Sequence, residues 1–544
     1  MRKNRLLTGI LAGTMVLTTL TGFSGAGKQE TYTEAAKKVN DIGKVKASSG
    51  SPAWDTSRED TVTVSVINNF YTAGEKKLAE DYMALHPETK VVIDVISDND
   101  AYTTKMMTSM SDDRSNAPDI VHGNFLAMAV SNDNMGIAAE KGYIYDLTEM
   151  LDEENPYNEG KLVRDVFTED DLALVLSSSG GKYNTFLPFD KIGFAFFYNK
   201  GIFEDNGLTV PETFEELTDV CEKLQEAGYD VPLSAGGESY RLLDSFADCI
   251  YRADVYPQVL IQPGDALWDE ATMSANKDFK FDEGNLYCDQ LTVFSDEREM
   301  AFARENGYNT EKNKAMWTEF QKIARFFPDN WISADSTQAI TDFESQMAPI
   351  LFQASYNAGN ILADTNALPD DMKFEWATFQ IDSFENTPDY FTGKIRGYWN
   401  FGNIMSIVKK DDTDHMERVK DFYKFWYSPN GAQTCFEETL NNGNYIQGPC
   451  VIEGVVLSDN LQQVLAGFEP VAPSKDGNWV TGFSRVTQAD LPAFNGLINK
   501  LSEEKIDMDS FMDEMSGLYD NYVNDAISRN GYDLNPATAD TPKE

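Results

Sequence analysis

Three strand-like runs separated by two helical patterns constrain this chain's fold more than any other feature. "TVTVSVI" (61–67) alternates apolar and hydroxyl residues with a period of two, as a half-buried strand does. A helical pattern follows, with Leu78, Tyr82 and Leu85 on one face, and then a second strand, "KVVIDVI" (90–96). Another helix carries Tyr102, Met106 and Met110, and "APDIVHG" (117–123) supplies a third strand after its proline. Strand, helix, strand, helix, strand predicts a parallel sheet covered by helices, an α/β architecture. Ligands of such sheets sit beyond the carboxyl ends of the strands. That rule brings three loops to one crevice: Asn68 to Tyr71, Ser97 to Asp100, and His122 to Phe125. Asn69, Phe70, Asn124 and Phe125 are therefore candidate ligand contacts.

A chain of 544 residues exceeds one compact core, so two or more lobes are expected. The second α/β unit begins near Phe194, inside the long apolar and aromatic run of residues 180–208. A capping box, Thr213 with Glu216, then opens a helix whose Leu217, Val220, Cys221 and Leu224 share a face. "DVPLSAGGES" returns the chain to strand and loop.

Composition removes several function classes. The formal net charge is −44, which repels a phosphate backbone or an anionic lipid surface and disfavours nucleic-acid or membrane-surface partners. Five cysteines (221, 249, 288, 435, 450) form no C-x-x-C pair, and only three histidines exist, so neither a metal centre nor a redox motif is expected, and no cofactor. Cys435 and Cys450 could close a short loop as a disulfide, while free buried thiols fit equally well. No second apolar run reaches membrane-spanning length.

The N-terminus reads as an export signal over residues 1–26. Arg2, Lys3 and Arg5 precede an apolar core, and small residues follow it. After Leu20-Thr21-Gly22, where a lipid-bearing cysteine would complete a lipoprotein signal, stands Phe23, which has no sulfur to carry a lipid. Gly22 to Lys28 matches a phosphate-loop pattern but lacks its hydroxyl residue and the preceding strand. Residues 27–60 are polar and read as a flexible tether.

The order Ala117-Pro118-Asp119-Ile120, Leu187-Pro188, Tyr198-Asn199-Lys200, then Gly207-Leu208 and Pro211 to Phe214 resembles extracellular solute-binding proteins of ABC importers. The nearest group is the carbohydrate-binding, maltose-binding-protein-like one. "DFESQMAPILFQASYNAG" (342–359) and "RGYWNFGNIMSIVKKDDTDHMERVKDFYKFWYSPNGAQ" (396–433) are similar to that family's later segments. The resemblance implies two hinged α/β lobes with an interlobe cleft. Lobe 1 would comprise 61–190 and 400–450, and lobe 2 would comprise 191–399 and a helical 451–544. The strands crossing between lobes would lie near 190–196 and 399–404. The insertion between Asp254 and Trp331 has no counterpart in the family pattern.

The resemblance implies an exported, monomeric protein, at the cell surface or free outside the cell, that closes on an oligosaccharide and delivers it to permease subunits. Sugars need aromatic faces for their C–H surfaces and fixed polar groups for their hydroxyls. Tyr356, at the glycine-aromatic turn where relatives carry tryptophan, Tyr398 and Trp399 at the second crossing, and Trp479 in "DGNWVTGF" are the ring candidates. Asp190, Glu238 and Arg396 join Asn69 and Asn124 as polar candidates, with Arg396 placed to fork across two hydroxyls or a uronate carboxylate. Trp376 and Trp426 read as strand and helix-face core residues. A glycoside hydrolase would use a similar cleft with paired carboxylates. No nucleophile elbow, zinc helix or triad order appears, and the motif order favours binding without catalysis. A cationic solute such as a polyamine, or a metal chelate, is the third reading; the aromatic content favours a neutral sugar.

Overall fold

The computed structural model describes residues 52–67, 70–96, 98–110, 114–131, 134–179, 181–265, 268, 280–289, 292, 294–442, 445–468, 471–475 and 490–535. The first sheet is built from β1 (Asp60–Ile67), β2 (Thr89–Ile96) and β3 (Ile120–His122), in the order β2-β1-β3 and all parallel. Helix Thr72–Leu85 crosses from β1 to β2, and helix Asn99–Ser109 from β2 to β3. Val62, Val64 and Val66 of β1 bury against Leu78 and Tyr82 of the first helix. Ile67 enters a separate cluster with Tyr102 and Met106 of the second helix. Leu85 ends its helix 39 % exposed, so the apolar stripe stops a turn short of it.

The second sheet contains β4 (Lys191–Asn199), β5 (Leu233–Ser234), β6 (Ile350–Ala354) and β7 (Trp376–Phe379), in the order β5-β6-β4-β7. Period-two alternation divides its side chains between two cores. Phe194, Phe196, Ile350 and Phe352 face one, together with helices Arg241–Tyr251, Glu311–Ala324, Leu491–Ser502 and Met508–Asn530. Ala195, Phe197, Leu351 and Trp376 face the other, which is continuous with the first sheet's core and with Trp426 of helix Thr413–Trp426. The inserted residues between Asp254 and Trp331 supply Met300, Trp317 and Phe320 to the first of these cores.

The two sheets are joined by strands that run past one another. β8 (Trp399–Phe401) pairs antiparallel with the start of β4, through Lys191↔Phe401 and Gly193↔Trp399. The chain then passes directly into β9 (Met405–Ile407), which pairs antiparallel with β3 as the edge of the first sheet. A third segment crosses at the bridge Asp190↔Cys450. Glycines stand where these backbones touch. A Cβ on Gly448 would lie 1.8 Å from the Lys191 carbonyl oxygen, and one on Gly402 would lie 2.3 Å from Gln447 Oε1.

The expected tether is shorter than residues 27–60, because its last part is fastened to the first lobe. Trp54 is 7 % exposed, its indole donates to Glu88 (3.0 Å), and its ring meets His86 edge-on. Arg418, fully buried, donates to the carbonyls of Asp55 (2.6 Å) and Arg58 (2.8 Å). The five cysteines are free thiols, three of them buried. No helix among the described residues is long and apolar enough to cross a membrane.

Candidate ligand-binding cleft

β8 lies at the seam between the sheets, and strand alternation sends its two aromatic neighbours in opposite directions. Tyr398, just before the strand, packs against Phe194 of the second lobe (ring centroids 6.0 Å). Trp399 packs against Phe401 (5.4 Å) within the cluster that holds Ile67 and Phe125 of the first lobe. Each ring is half-buried and each carries a cation on its face. The Arg241 guanidinium sits 3.9 Å from the Tyr398 centroid and 4.9 Å from that of Tyr240. The Lys191 ammonium sits 4.5 Å from the Trp399 centroid. Buried carboxylates hold both cations there: Asp244 for Arg241 (3.1 Å) and Asp171 for Lys191 (3.0 Å).

Tyr356 occupies a short 3₁₀ turn between β6 and helix Ala358–Ala367, and its hydroxyl donates to Glu238, an exposed residue of the 3₁₀ turn Gly237–Tyr240 that leads into helix Arg241–Tyr251. Burial and then the Glu238 carboxylate push the Tyr356 hydroxyl well above its ordinary range, so it remains a donor. The fields of Tyr398 and Arg241 also reach it. Tyr356, Glu238, Tyr398 and Arg241 thus form one constellation on the second lobe's side of the seam.

On the first lobe's side, Phe70 bridges to Tyr445 of the third crossing segment, and helix Ala358–Ala367 brings Gly359 against the same tyrosine. Phe125 is half-buried, 5.4 Å from the Tyr102 ring and 5.1 Å from His122, while Asn124 is half-buried in the first turn of its helix. His122 is buried, which lowers its imidazole to about 4 and keeps it neutral. Asn69 and Trp479 lie outside the described residues.

Two polar candidates have other partners. Arg396, expected to fork across ligand hydroxyls, is fully buried with its fork already filled: it donates to Asp248 (2.8 and 2.5 Å) and Asp289 (2.7 and 2.9 Å). It retains no face for a ligand. Asp190 is likewise 0 % exposed. Its carboxylate accepts from the Tyr71 hydroxyl (2.5 Å) and the Asn403 amide (2.7 Å), which makes it a fastening of the crossing. Burial raises its pKa to about 6 against the pull of those hydrogen bonds. Tyr71 itself holds a left-handed backbone (φ 55°) at the entry to helix Thr72–Leu85.

Arg241 and Lys191 were not among the sequence candidates. Arg241 stands three residues after Glu238 in "GGESYRLLD", at the junction of loop and helix. That junction was the available signal, but which ring the guanidinium covers depends on a residue 157 positions later.

A family model described as bacterial extracellular solute-binding protein matches residues 71–433. The chain belongs to that family. This solute-binding protein shares its fold with solved structures at low identity. Apo RafE from Streptococcus pneumoniae aligns at 14 % identity and a TM-score of 0.55, over 86 % of this chain and 98 % of that one. The cyclic α-maltosyl-1,6-maltose binding protein from Arthrobacter globiformis aligns at 14 % and 0.51, over 86 % and 99 %. The GacH receptor of Streptomyces glaucescens aligns at 13 % and 0.50, over 86 % and 99 %. A search of curated proteins finds no match. The solute-binding protein thus has the two-lobed α/β fold. Membership in an extracellular family makes it an exported protein.

Proposed function

We propose that this protein captures a neutral oligosaccharide between its lobes, does no chemistry on it, and delivers it to the permease of an ABC importer. The observation that carries this reading is the pair of consecutive rings, Tyr398 and Trp399, committed to opposite lobes. A sugar laid across both would draw the halves together, its C–H faces against the rings. Arg241, Lys191, Glu238 and the Tyr356 hydroxyl supply fixed donors and acceptors for its hydroxyls, which would be costly to leave unpaired. Phe70, Asn124 and Phe125, with Asn69, line the opposing wall in this reading. Structural neighbours support the ligand class: RafE has been solved with raffinose and GacH with acarbose. Residues 1–26 act as the export signal, and Phe23 rules out thioether anchoring at that position. The exported protein works as a monomer.

The test is thermal melting of the mature chain with raffinose, acarbose, maltotriose, spermidine and a ferric chelate. One neutral oligosaccharide should raise the melting temperature and be recovered uncut. Tyr398→Ala and Trp399→Ala should each weaken its binding about tenfold or more, since a lost stacking contact is worth about 1–2 kcal/mol. Release of reducing ends would establish the hydrolase reading instead, and a shift with spermidine or the chelate alone would overturn the sugar.

A further inference from the structure

The inserted segment and Arg396 meet in one buried place, and that place abuts the ring pair. Arg396 immediately precedes Gly397-Tyr398-Trp399. Its guanidinium is held from one side by Asp248 of helix Arg241–Tyr251 and from the other by Asp289 of the insertion, and it also donates to the Leu286 carbonyl (2.8 Å). Arg396, Asp248 and Asp289 are all 0 % exposed. A fourth strand of chain closes the arrangement. The Lys475 amide donates to Asp248 Oδ1 (3.1 Å), its ammonium donates to the Thr292 carbonyl of the insertion, and the Tyr256 hydroxyl donates to Asp248 (3.0 Å). The segment before Lys475 runs alongside Gly397: the Gly397 amide donates to the Ala472 carbonyl (3.2 Å), and the Ser474 amide to the Gly397 carbonyl (2.9 Å).

One helix therefore grips the turn at two points. Asp248 holds Arg396, and Arg241, two turns earlier on the same helix, covers the Tyr398 ring. We propose that the Asp248–Arg396–Asp289 cluster, closed by Lys475, is a positioning device that fixes the Tyr398–Trp399 turn, with the insertion as its outer jaw. Arg396, Asp289 and Lys475 are positioning residues that act through the backbone of the turn. The proposal rests on the ring pair being the ligand platform.

Charge balance explains the fourth member. Two buried carboxylates face one guanidinium, and the Lys475 ammonium brings the sum to zero. Among the described residues the other titratable group acting on Lys475 is the Cys288 thiol, which burial holds above its ordinary range and uncharged at neutral pH. Burial draws the Lys475 ammonium down to about 8, against the pull of Asp289. Above that pH the cluster holds an uncompensated negative charge, and its grip on the insertion should slacken.

The test needs no ligand. The full mature chain is labelled with 5-fluorotryptophan, the Trp399 resonance is assigned by Trp399→Phe, and it is followed by fluorine NMR from pH 6.5 to 9.5. In the wild type it should shift with a midpoint near 8. Lys475→Arg, which keeps the charge and does not titrate in this range, should abolish that transition. Asp289→Asn should displace or broaden the resonance at every pH, while the Trp426 resonance in the first lobe's core stays in place. A Trp399 resonance indifferent to both substitutions overturns the proposal. If Asp289→Asn does not fold, Lys475→Arg decides alone: a transition that persists overturns the device, and one that vanishes supports it. This readout reports the ring and not binding, so it is separable from the platform reading, which fails if Tyr398→Ala leaves the oligosaccharide's melting shift unchanged.

Discussion

Asp190 is a carboxyl with no ion-pair partner among the described residues, enclosed at the crossing of three chain segments. Tyr71, Tyr427, Cys435 and Cys450 feel its charge, and the strongest influences on it are its burial and the hydrogen bonds from Tyr71, Asn403, Gly402 and Gln447. Its pKa rises from about 3.8 to about 6 on folding. Below pH 4 it is protonated in both the folded and unfolded states and has no effect. Between pH 4 and 6 the unfolded chain ionises while the native state keeps its proton, so stability falls as pH rises. Above 6 the full cost remains, roughly 3 kcal/mol from the two-unit shift. Asp190→Asn should therefore melt progressively higher than the wild type as pH increases from 4 to 6, with the difference constant beyond. Melting curves at unit pH intervals test this, and a difference independent of pH would show that the carboxyl is ionised throughout.

The sequence offers Arg396 as a charge near the second crossing but not the acids that fold against it. Arg396 and Arg241 look alike in the sequence. One is closed off by two carboxylates, of which one lies 148 residues away and the other 107, and the other lies on the ring beside it. An arginine's role depends on which acids fold against it, and neither Asp248 nor Asp289 is a sequence neighbour of Arg396.

At the level of elements, the crossing strands work because their contact points lack side chains. Gly448 cannot acquire a Cβ without parting its strand from β4, since the obstacle is the Lys191 backbone and not a movable side chain. Gly448→Ala should lower stability by about 3 kcal/mol, as overpacking against fixed backbone does. The control is Gly496, inside helix Leu491–Ser502, where a Cβ would meet nothing within 4 Å. Gly496→Ala should raise stability by about 0.5–1 kcal/mol through helix propensity alone. Urea unfolding of both variants tests the pair, and equal effects would refute the steric account. Local signals predicted other elements well. Thr213 caps its helix by accepting from the Glu216 amide (3.2 Å), while the Glu216 carboxylate accepts from the Glu212 amide (2.7 Å). β5, by contrast, is only two residues long because its pairing with β6 ends there, a limit that no local composition conveys.

For the whole molecule, the described segment before β1 belongs to the body of the first lobe. Trp54 and Arg58 attach beside the first residues of β1, whereas the cluster against which Trp399 packs contains its last residue, Ile67. Removing residues 1–51 should leave the melting temperature unchanged. Removing 1–59 should destabilise the first lobe by about 3 kcal/mol, the cost of losing a buried tryptophan together with the partners of Arg418. Differential scanning calorimetry of the two truncations tests this, and coincident melting would show that the docked segment contributes nothing.

The sequence by itself determined the strand–helix alternation, the existence of a second α/β unit, the order of motifs and the ring-bearing crossing. Each of these is written in near-neighbour periodicity or in segments that stay contiguous. Tertiary structure alone decided which ring each cation covers, how far the insertion reaches, and that Asp190 and Arg396 are enclosed by the protein's own groups. Those outcomes depend on pairings across one hundred residues or more, where burial and Coulomb energy act between groups that the linear chain keeps apart.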